Sequence, residues 1–337
     1  MQQRYAQPTD FWQERDFGNK ISAAFEFIGA HWRGLGRCLV YFVLPATMLF
    51  GIGLGVFTNR LLNYAGLNSS ARRMGSFSGY SPTDAFSFVG LGLALLGALL
   101  AVVMLSATLY GYLRTRLYLP PSEAVTPRQV WQAIRARLGW VLLAVVVLGM
   151  GSFIGFFMLT GIIGMGLAAI GLGVWGSLLS TLLVLLPVAY VAVALSLYFP
   201  VLWLENRGVF ASIGRCFQLV RGHWWATFGL VVVAAFLQGA LGVGFVIPQY
   251  AVYFGRALHV PFFDSDVLGI VTQCIYALGI IITYAVPMLV LAFQYFNLVE
   301  QHESTGSLLL LSQLGQEPTT APALDADHYR PHEEGEY

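Results

Sequence analysis

The sequence contains few charged residues, and they are unevenly distributed. Only 10% of the 337 residues are charged, whereas a soluble domain averages about 25%. Five windows, together 185 residues long, contain no Asp, Glu, Lys or Arg. None of the six remaining pieces exceeds 38 residues, and a chain usually needs at least about 40 residues to fold alone. These pieces exclude a soluble catalytic domain, and with it most classes of enzyme. The charge-free windows are Cys38–Asn59, Ala85–Leu113, Leu138–Leu204, Gly222–Gly255 and Val267–Val299.

The sequence also lacks the common motifs of metal, hydrolase and nucleotide chemistry. Its cysteines, Cys38, Cys216 and Cys274, are odd in number and lie in or beside charge-free windows, which is typical of packing residues. No GxSxG motif occurs. Gly171–Gly176 fits GxGxxG, but it lies inside an apolar window without a preceding strand. We therefore predict that the protein is not an enzyme and has no metal or cofactor.

Each charge-free window is long enough to cross a bilayer as a helix, which takes about 20 apolar residues. Runs such as Val141–Leu148 do not alternate apolar and polar residues, which favours helices over barrel strands. The window Leu138–Leu204 accommodates two or three crossings. Six crossings in total place 14 basic residues on one side of the membrane and 4 on the other, whereas seven give at best 11 and 7. Because basic residues concentrate in cytoplasmic loops, we predict six crossings with both termini in the cytoplasm.

The predicted fold is all-α, a polytopic membrane helix bundle of six transmembrane helices arranged as three hairpins. Residues 1–37 are expected to form a cytoplasmic amphipathic segment and residues 38–299 the six-span membrane domain. Residues 300–337 contain eight acids and one arginine, a composition typical of a disordered acidic cytoplasmic tail. We expect the last crossing to continue past Pro287 with a kink. The predicted crossings are Cys38–Phe57, Phe86–Leu109, Leu138–Leu159, Ser177–Leu202, Trp224–Ile247 and Leu268–Val290.

The segments that precede the three hairpins resemble one another. The first contains Phe25–Trp32 and the third Phe217–Trp224, both ending in His-Trp, and a weaker middle copy is Trp131–Leu138. Apolar residues recur in them at three- to four-residue spacing, which is typical of helices. We predict three amphipathic interfacial helices in the cytoplasmic headgroup region, each leading into a hairpin. Their apolar faces are Phe17, Ile21, Phe25 and Ile28 in the first copy, and Phe210, Ile213, Phe217 and Val220 in the third.

Two groups of polar residues are candidate sites. The first group would form an interfacial or lipid-headgroup site, or an anchor for the third interfacial helix, or only an ion pair of Glu205 with Arg215 or Arg207. The second group would line a polar pathway through the membrane, or only join helices by hydrogen bonds. The first group is Glu205, Arg207, Arg215, Arg221, His223, Trp224, His31 and Trp32. The second group is Gln238, Gln273, Gln294 and Asn297.

One stretch resembles a known family. Glu205 ends a predicted crossing, and Ala211–Trp224 then carries Arg215, an aromatic residue, a leucine and a basic-glycine pair. This stretch resembles bacterial multi-pass proteins related to the membrane domain attached to some glycerophosphodiester phosphodiesterases, although Cys216 stands where serine is usual. The resemblance implies a six-span helical protein of the bacterial inner membrane, and it implies no activity.

These observations favour a non-enzymatic integral protein of the bacterial inner membrane, acting as a membrane scaffold or as an accessory subunit of an unknown partner. The alternative is a transporter or lipid-handling protein with an uncharged pathway. A water-accessible cavity lined by the second group of polar residues would favour the alternative, and a closed, glycine-packed bundle would favour the scaffold. The expected partners are membrane lipids, including anionic headgroups, and a membrane protein, but no nucleic acid.

Overall fold

The structure is a computed structural model that describes residue 5 and residues 7–64, 88–120, 123–171, 173–205 and 207–314. Within these ranges every regular element is helical, so the predicted all-α fold is confirmed. Two short 3-10 helices, Pro8–Asp10 and Pro261–Asp264, accompany the α-helices. The α-helices are α1 (Phe17–Phe42), α2 (Leu44–Tyr64), α3 (Phe88–Tyr118), α4 (Pro127–Ala169), α5 (Gly173–Leu195), α6 (Tyr198–Leu204), α7 (Val209–Val220), α8 (Trp224–Ala257), α9 (Asp266–Thr283), α10 (Ala285–Glu303) and α11 (Thr305–Leu314).

Among the described residues, five helical stretches are long and apolar enough to cross a membrane, and the bent pair α1–α2 makes up to six. The axes of α1 and α2 differ by 50°. Pro45 explains this bend, because its ring displaces the carbonyl of Tyr41 and it has no N–H to donate in the first turn of α2. Similarly, α9 and α10 together form one stretch, Asp266–Glu303, which continues past Pro287 as predicted.

The window Leu138–Leu204 holds two long helices and the short α6. Helices α4 and α5 are joined by a tight turn in which Gly171 has a φ of +76°, a left-handed conformation that glycine adopts without steric cost. Gly171 thus occupies a turn between helices, and the GxGxxG match lies outside any strand-to-helix junction. The outer part of this hairpin projects from the bundle, and Phe153, Met165 and Leu186 are 64%, 73% and 70% exposed.

The three repeated segments do not fold alike. The third is a separate helix, α7, because Gly222 with a φ of +86° breaks the chain before α8. The first lies within α1, which continues without interruption to Phe42. The middle copy is the beginning of α4, which runs unbroken from Pro127 to Ala169. The segment before the second hairpin is therefore continuous with the long helix that follows it, because the only glycine or proline between Trp131 and Val141 is Gly139, which a helix tolerates.

Glycines bring the backbones of α2, α3 and α9 close together. A Cβ at Gly51 would lie 2.7 Å from the Cα of Cys274, and one at Gly97 would collide with the backbone of Phe50. The GxxxG pair Gly51/Gly55 therefore forms a helix contact, as such pairs permit. The second pair, Gly151 and Gly155, has no atom within 4 Å of an added Cβ. Glycine packing thus closes this side of the bundle and leaves the α4–α5 hairpin open.

The N-terminal segment packs into the centre of the bundle and does not lie only on its surface. Phe11 is fully buried, and its ring lies 5.6 Å from that of Phe296 and 6.4 Å from that of Phe293. Phe27 of α1 joins the same aromatic cluster. The cluster thus packs the N-terminal segment and α1 against α10, whose residues from Ala285 to Val290 and from Ala292 to Glu300 are buried. The amphipathic segment predicted for residues 1–37 therefore supplies part of the protein core.

The predicted disorder of the tail from residue 300 is wrong for its first part. Helix α10 continues to Glu303, and α11 covers Thr305–Leu314. The carboxylate of Glu300 explains the new helix, because it accepts hydrogen bonds from the backbone nitrogens of Gly306 (2.6 Å) and Ser307 (3.2 Å), as a carboxylate at a helix N-terminus does. The rest of the predicted tail, residues 315–337, lies outside the described residues.

Candidate functional site

A polar network at the end of α6 joins three of the first group of candidate residues, Glu205, Arg207 and Arg215. Glu205 follows the last residue of α6 and accepts hydrogen bonds from Arg207 Nε (2.6 Å), Arg215 Nε (3.0 Å) and the hydroxyl of Tyr295 (3.2 Å). Arg215, on α7, also forms an ion pair with Glu303 at the end of α10. The network therefore links α6, α7 and α10, and both ion pairs predicted for Glu205 are present.

The charges of this network satisfy one another. The side chains of Arg215 and Glu205 are only 12% and 13% exposed, so their charged groups interact in a partly desolvated environment. Burial by itself lowers the pKa of Arg215, but hydrogen bonds to Glu205 and Glu303 raise it above the usual value. Arg215 therefore stays charged, with its Nε directed to Glu205 and its Nη2 to Glu303. This arrangement suits an anchor that holds α7 against the bundle better than an open headgroup site.

His223 and Trp224 lie where α7 ends and α8 begins. The indole nitrogen of Trp224 donates to the carbonyl oxygen of Tyr190 (3.3 Å), and its ring stacks on Tyr190 and Phe228 at 5.8 and 5.2 Å. The ring of His223 lies perpendicular to that of His302 at 5.9 Å. Both residues therefore contribute to helix packing at this end of α8. Arg221, in the preceding break, is exposed.

The corresponding residues of the first repeat lie elsewhere. His31 stacks on Phe27 at 4.6 Å and lies edge-on to Tyr112 at 5.9 Å. Its Nδ1 is 3.3 Å from the carbonyl oxygen of Phe27. Trp32 points outward and is 64% exposed, whereas Trp224 is partly buried. The His-Trp pairs of the two repeats therefore occupy different environments, and the first group of predicted residues does not form one site.

Three of the four predicted intramembrane polar residues join elements of the protein. The amide nitrogen of Gln294 donates to the hydroxyl of Thr227 on α8 (3.0 Å), and the side-chain oxygen of Asn297 accepts from the backbone nitrogen of Arg15 (2.7 Å). Gln273 accepts a long hydrogen bond from Tyr253 (3.5 Å). These contacts are dispersed along α9 and α10 and join elements of the bundle. Gln238 is partly exposed on α8.

Sequence reasoning missed a clamp at the opposite end of the bundle. Arg256 is fully buried and donates to Asn59 Oδ1 (2.8 Å) and to the carbonyl oxygens of Phe263 and Ser265 (2.9 Å each). Asn59 in turn donates to the carbonyl oxygen of Asp266 (2.8 Å). The clamp joins α2, α8 and α9. Two features of the sequence could have indicated this clamp. Asn59 is the last residue of a charge-free window, and Arg256 is the only lysine or arginine between the windows Gly222–Gly255 and Val267–Val299.

Sequence reasoning also missed two arginines beside an apolar groove. Arg33 and Arg37 lie on α1 and line a cavity of about 500 Å³ together with apolar residues of α1, α2, α3 and α9. Their i,i+4 spacing puts both on one face of α1, and this spacing was visible in the sequence. The apolar half of the groove was not visible in the sequence, because its residues come from helices that are distant in the chain.

The cysteines are free thiols, and Cys38 and Cys216 are buried. Burial raises the pKa of the Cys216 thiol to about 12, which makes it inert under ordinary conditions. Among the residues that the structure describes, no three His, Cys, Asp or Glu side chains lie close enough together to hold a metal ion.

The second half of the chain matches a known family. A family model described as a domain of unknown function (DUF7847) matches residues 125–304. The match begins just before α4 and ends after α10, so it includes the projecting hairpin, the Glu205 network and part of the Arg256 clamp. No curated protein and no solved structure matches the chain. Because the matched region covers more than half of the chain, the protein belongs to the family defined by the domain of unknown function DUF7847.

Proposed function

We propose that the protein is a non-enzymatic, multi-pass protein of the bacterial cytoplasmic membrane that acts as a scaffold or accessory subunit for another membrane protein. Its long apolar helices support an intramembrane position. The 14 to 4 distribution of basic residues supports cytoplasmic termini. The similarity of Glu205–Trp224 to the membrane domain attached to some glycerophosphodiester phosphodiesterases supports a bacterial inner-membrane location.

The amphipathic helices are part of this proposal. Helix α7 buries Ser212, Cys216 and Leu219 against the bundle, whereas Phe210 on its outer side is 72% exposed. Helix α1 leaves Phe25 41% exposed. Phenylalanines that face away from the core of the protein suit contact with the acyl-chain boundary of the cytoplasmic leaflet. In this arrangement Glu205 and Arg215 hold α7 at a fixed depth.

The observation that carries the proposal is the projecting α4–α5 hairpin. Its outer half exposes large apolar side chains on both helices, including Phe157 (57%) and Leu182 (61%). Gly151, Gly155 and Gly164 of α4 have open space around them. In a bilayer, a helix surface that alternates glycines with large apolar residues permits close contact with another helix. A hairpin that the bundle does not use for its own packing is suited to a partner protein.

The alternative, a transporter or lipid-handling protein with an uncharged pathway, has weaker support. A pathway needs polar groups that face a common, accessible space. Gln273, Gln294 and Asn297 instead bond within the bundle, and α2, α3 and α9 are closely packed through glycine. These contacts favour a closed scaffold.

Site-specific photo-crosslinking in native membranes tests the proposal. A photoreactive residue replaces Phe157 or Leu182 on the hairpin, and the matched control replaces Phe236, which is 75% exposed on α8. We expect the same discrete protein adduct from both hairpin positions and none from Phe236. Adducts with lipid alone at both hairpin positions, or the same protein adduct from all three, would contradict a partner site on the hairpin.

A further inference from the structure

The groove beside α1 combines an apolar interior with a basic end. Its cavity of about 500 Å³ is lined by Val40, Leu44, Leu105 and Ile282, and by Arg33 and Arg37 at one end. This volume lies within the range of sites that hold small molecules, about 300–1,000 Å³. The groove opens at the surface of the bundle, where Val40 is 58% exposed.

The two arginines differ from most arginines of the bundle. Arg15, Arg114, Arg116, Arg137, Arg215 and Arg256 all donate to carbonyl or carboxylate oxygens. Arg33 and Arg37 are exposed, and within the described part of the chain they have no hydrogen bond or ion pair. Two guanidinium groups on one helix face present paired donors whose geometry matches a phosphate group.

The groove lies beside the beginning of the predicted first crossing. Its inner end is lined by Leu105 and Val43, and Leu105 lies near the middle of α3. Arg37 directly precedes the predicted crossing that begins at Cys38, so the basic end of the groove lies at the edge of a charge-free window. Trp32 and Tyr41 beside the groove are 64% and 66% exposed, as aromatic residues are at a membrane interface. The basic end thus lies at headgroup depth when the predicted crossing spans the bilayer.

We propose that this groove binds one anionic phospholipid, with its phosphate between Arg33 and Arg37 and an acyl chain along Val40, Leu44 and Ile282. The charge of the two arginines selects a lipid with net negative charge over a zwitterionic one. The inference requires that the helices lie in a membrane, but it does not require a partner at the α4–α5 hairpin. Its failure and the failure of the scaffold role are therefore distinguishable.

The test measures lipid binding to the purified full-length chain by native mass spectrometry, with dioleoylphosphatidylglycerol and dioleoylphosphatidylcholine as probes. We expect the wild-type chain to bind one phosphatidylglycerol in preference to phosphatidylcholine. Because each basic residue near an anionic surface strengthens its attraction to anionic lipid several-fold, the double variant R33Q/R37Q is expected to bind phosphatidylglycerol at least about tenfold more weakly.

Two matched controls separate this site from general electrostatics and from misfolding. The variant R128Q/R135Q removes the same charge from α4 and is expected to bind phosphatidylglycerol within twofold of wild type. The variant G36F places a ring in the groove without changing charge and is expected to displace the lipid, whereas G29F, on the same helix outside the groove lining, is not. Gly36 and Gly29 both have open space around an added Cβ, so both variants are expected to fold, which their elution as monodisperse species verifies.

Three outcomes would overturn the inference. Equal weakening by R33Q/R37Q and R128Q/R135Q would show that lipid responds only to overall charge. Full phosphatidylglycerol binding by G36F would show that the groove is not its site. Displacement of the lipid by millimolar inorganic phosphate would assign the arginines to a soluble anion, whereas we expect phosphate to leave binding unchanged because it cannot occupy the apolar part.

Discussion

Replacing Glu205 by alanine is expected to destabilise the bundle by loosening α7. The change leaves Arg215, which is 12% exposed, with Glu303 as its remaining acid, and it leaves the hydroxyl of Tyr295 without its acceptor in a side chain that is 1% exposed. Breaking a buried ion pair costs about 3–5 kcal/mol, and an unsatisfied buried hydroxyl costs about 1–3 kcal/mol. Partial exposure and the retained contact with Glu303 reduce the sum, so we expect a loss of about 3 kcal/mol.

Thermal denaturation in a mild detergent, followed by the fraction of monodisperse protein, measures this loss. At roughly 2 °C per kcal/mol for a domain of this size, Glu205→Ala is expected to lower the apparent Tm by roughly 6 °C. Arg207→Ala is the matched control, because its side chain is 46% exposed and an exposed ion pair contributes about 1 kcal/mol or less. An apparent Tm for Glu205→Ala equal to that of Arg207→Ala would refute the anchoring role of Glu205.

Three further predictions concern the packing of the bundle. Gly97→Val is expected to lower the apparent Tm by several degrees because the new side chain disrupts the α2–α3 contact. Gly92→Val, on the same helix with open space around it, is expected to be tolerated. Equal tolerance of both variants would refute the close contact. Arg256→Ala is expected to cost about 2–3 kcal/mol because the buried Asn59 Oδ1 and two partly buried carbonyl oxygens lose their donor. Arg60→Ala is the exposed control in the same melting assay, and equal melting of the two would count against the clamp. Because the pKa of Cys216 is raised to about 12, its thiol stays protonated at pH 8 and is expected to resist N-ethylmaleimide until detergent unfolds the chain. Peptide mass spectrometry measures the labelling, and rapid labelling of the folded protein would contradict the burial of Cys216.

Charge-free windows predicted where the membrane helices lie, but not where they end. The window that begins at Leu138 belongs to a helix that begins at Pro127, because Arg128, Arg135 and Arg137 are good helix formers that simply extend beyond the apolar part. Pro45 lies inside the first window, but the absence of charge there did not predict that this proline bends the crossing and separates α1 from α2. Absence of charge reports the environment of a segment, whereas glycine and proline decide where a helix breaks.

The candidate residues were predictable in type and not in arrangement. The nearness of Glu205 to Arg207 and Arg215 in sequence was enough to predict their ion pairs. The contribution of Tyr295 and Glu303 to the same network was not predictable, because α10 reaches it only through tertiary packing. Similarly, the two repeats share a His-Trp pair, but the break at Gly222 places Trp224 at the start of a new helix, whereas Trp32 lies within the unbroken α1.

Membrane topology tests the central claim most directly, because both the scaffold role and the lipid groove require the helices to cross the bilayer in the proposed order. Alkaline phosphatase and green fluorescent protein fused after Gly173, Gly208 and Tyr337 report periplasmic and cytoplasmic positions, respectively. We predict phosphatase activity only for the fusion after Gly173, in the turn region of the α4–α5 hairpin, and fluorescence for the other two. Phosphatase activity after Gly208 or Tyr337 would contradict six crossings with both termini in the cytoplasm.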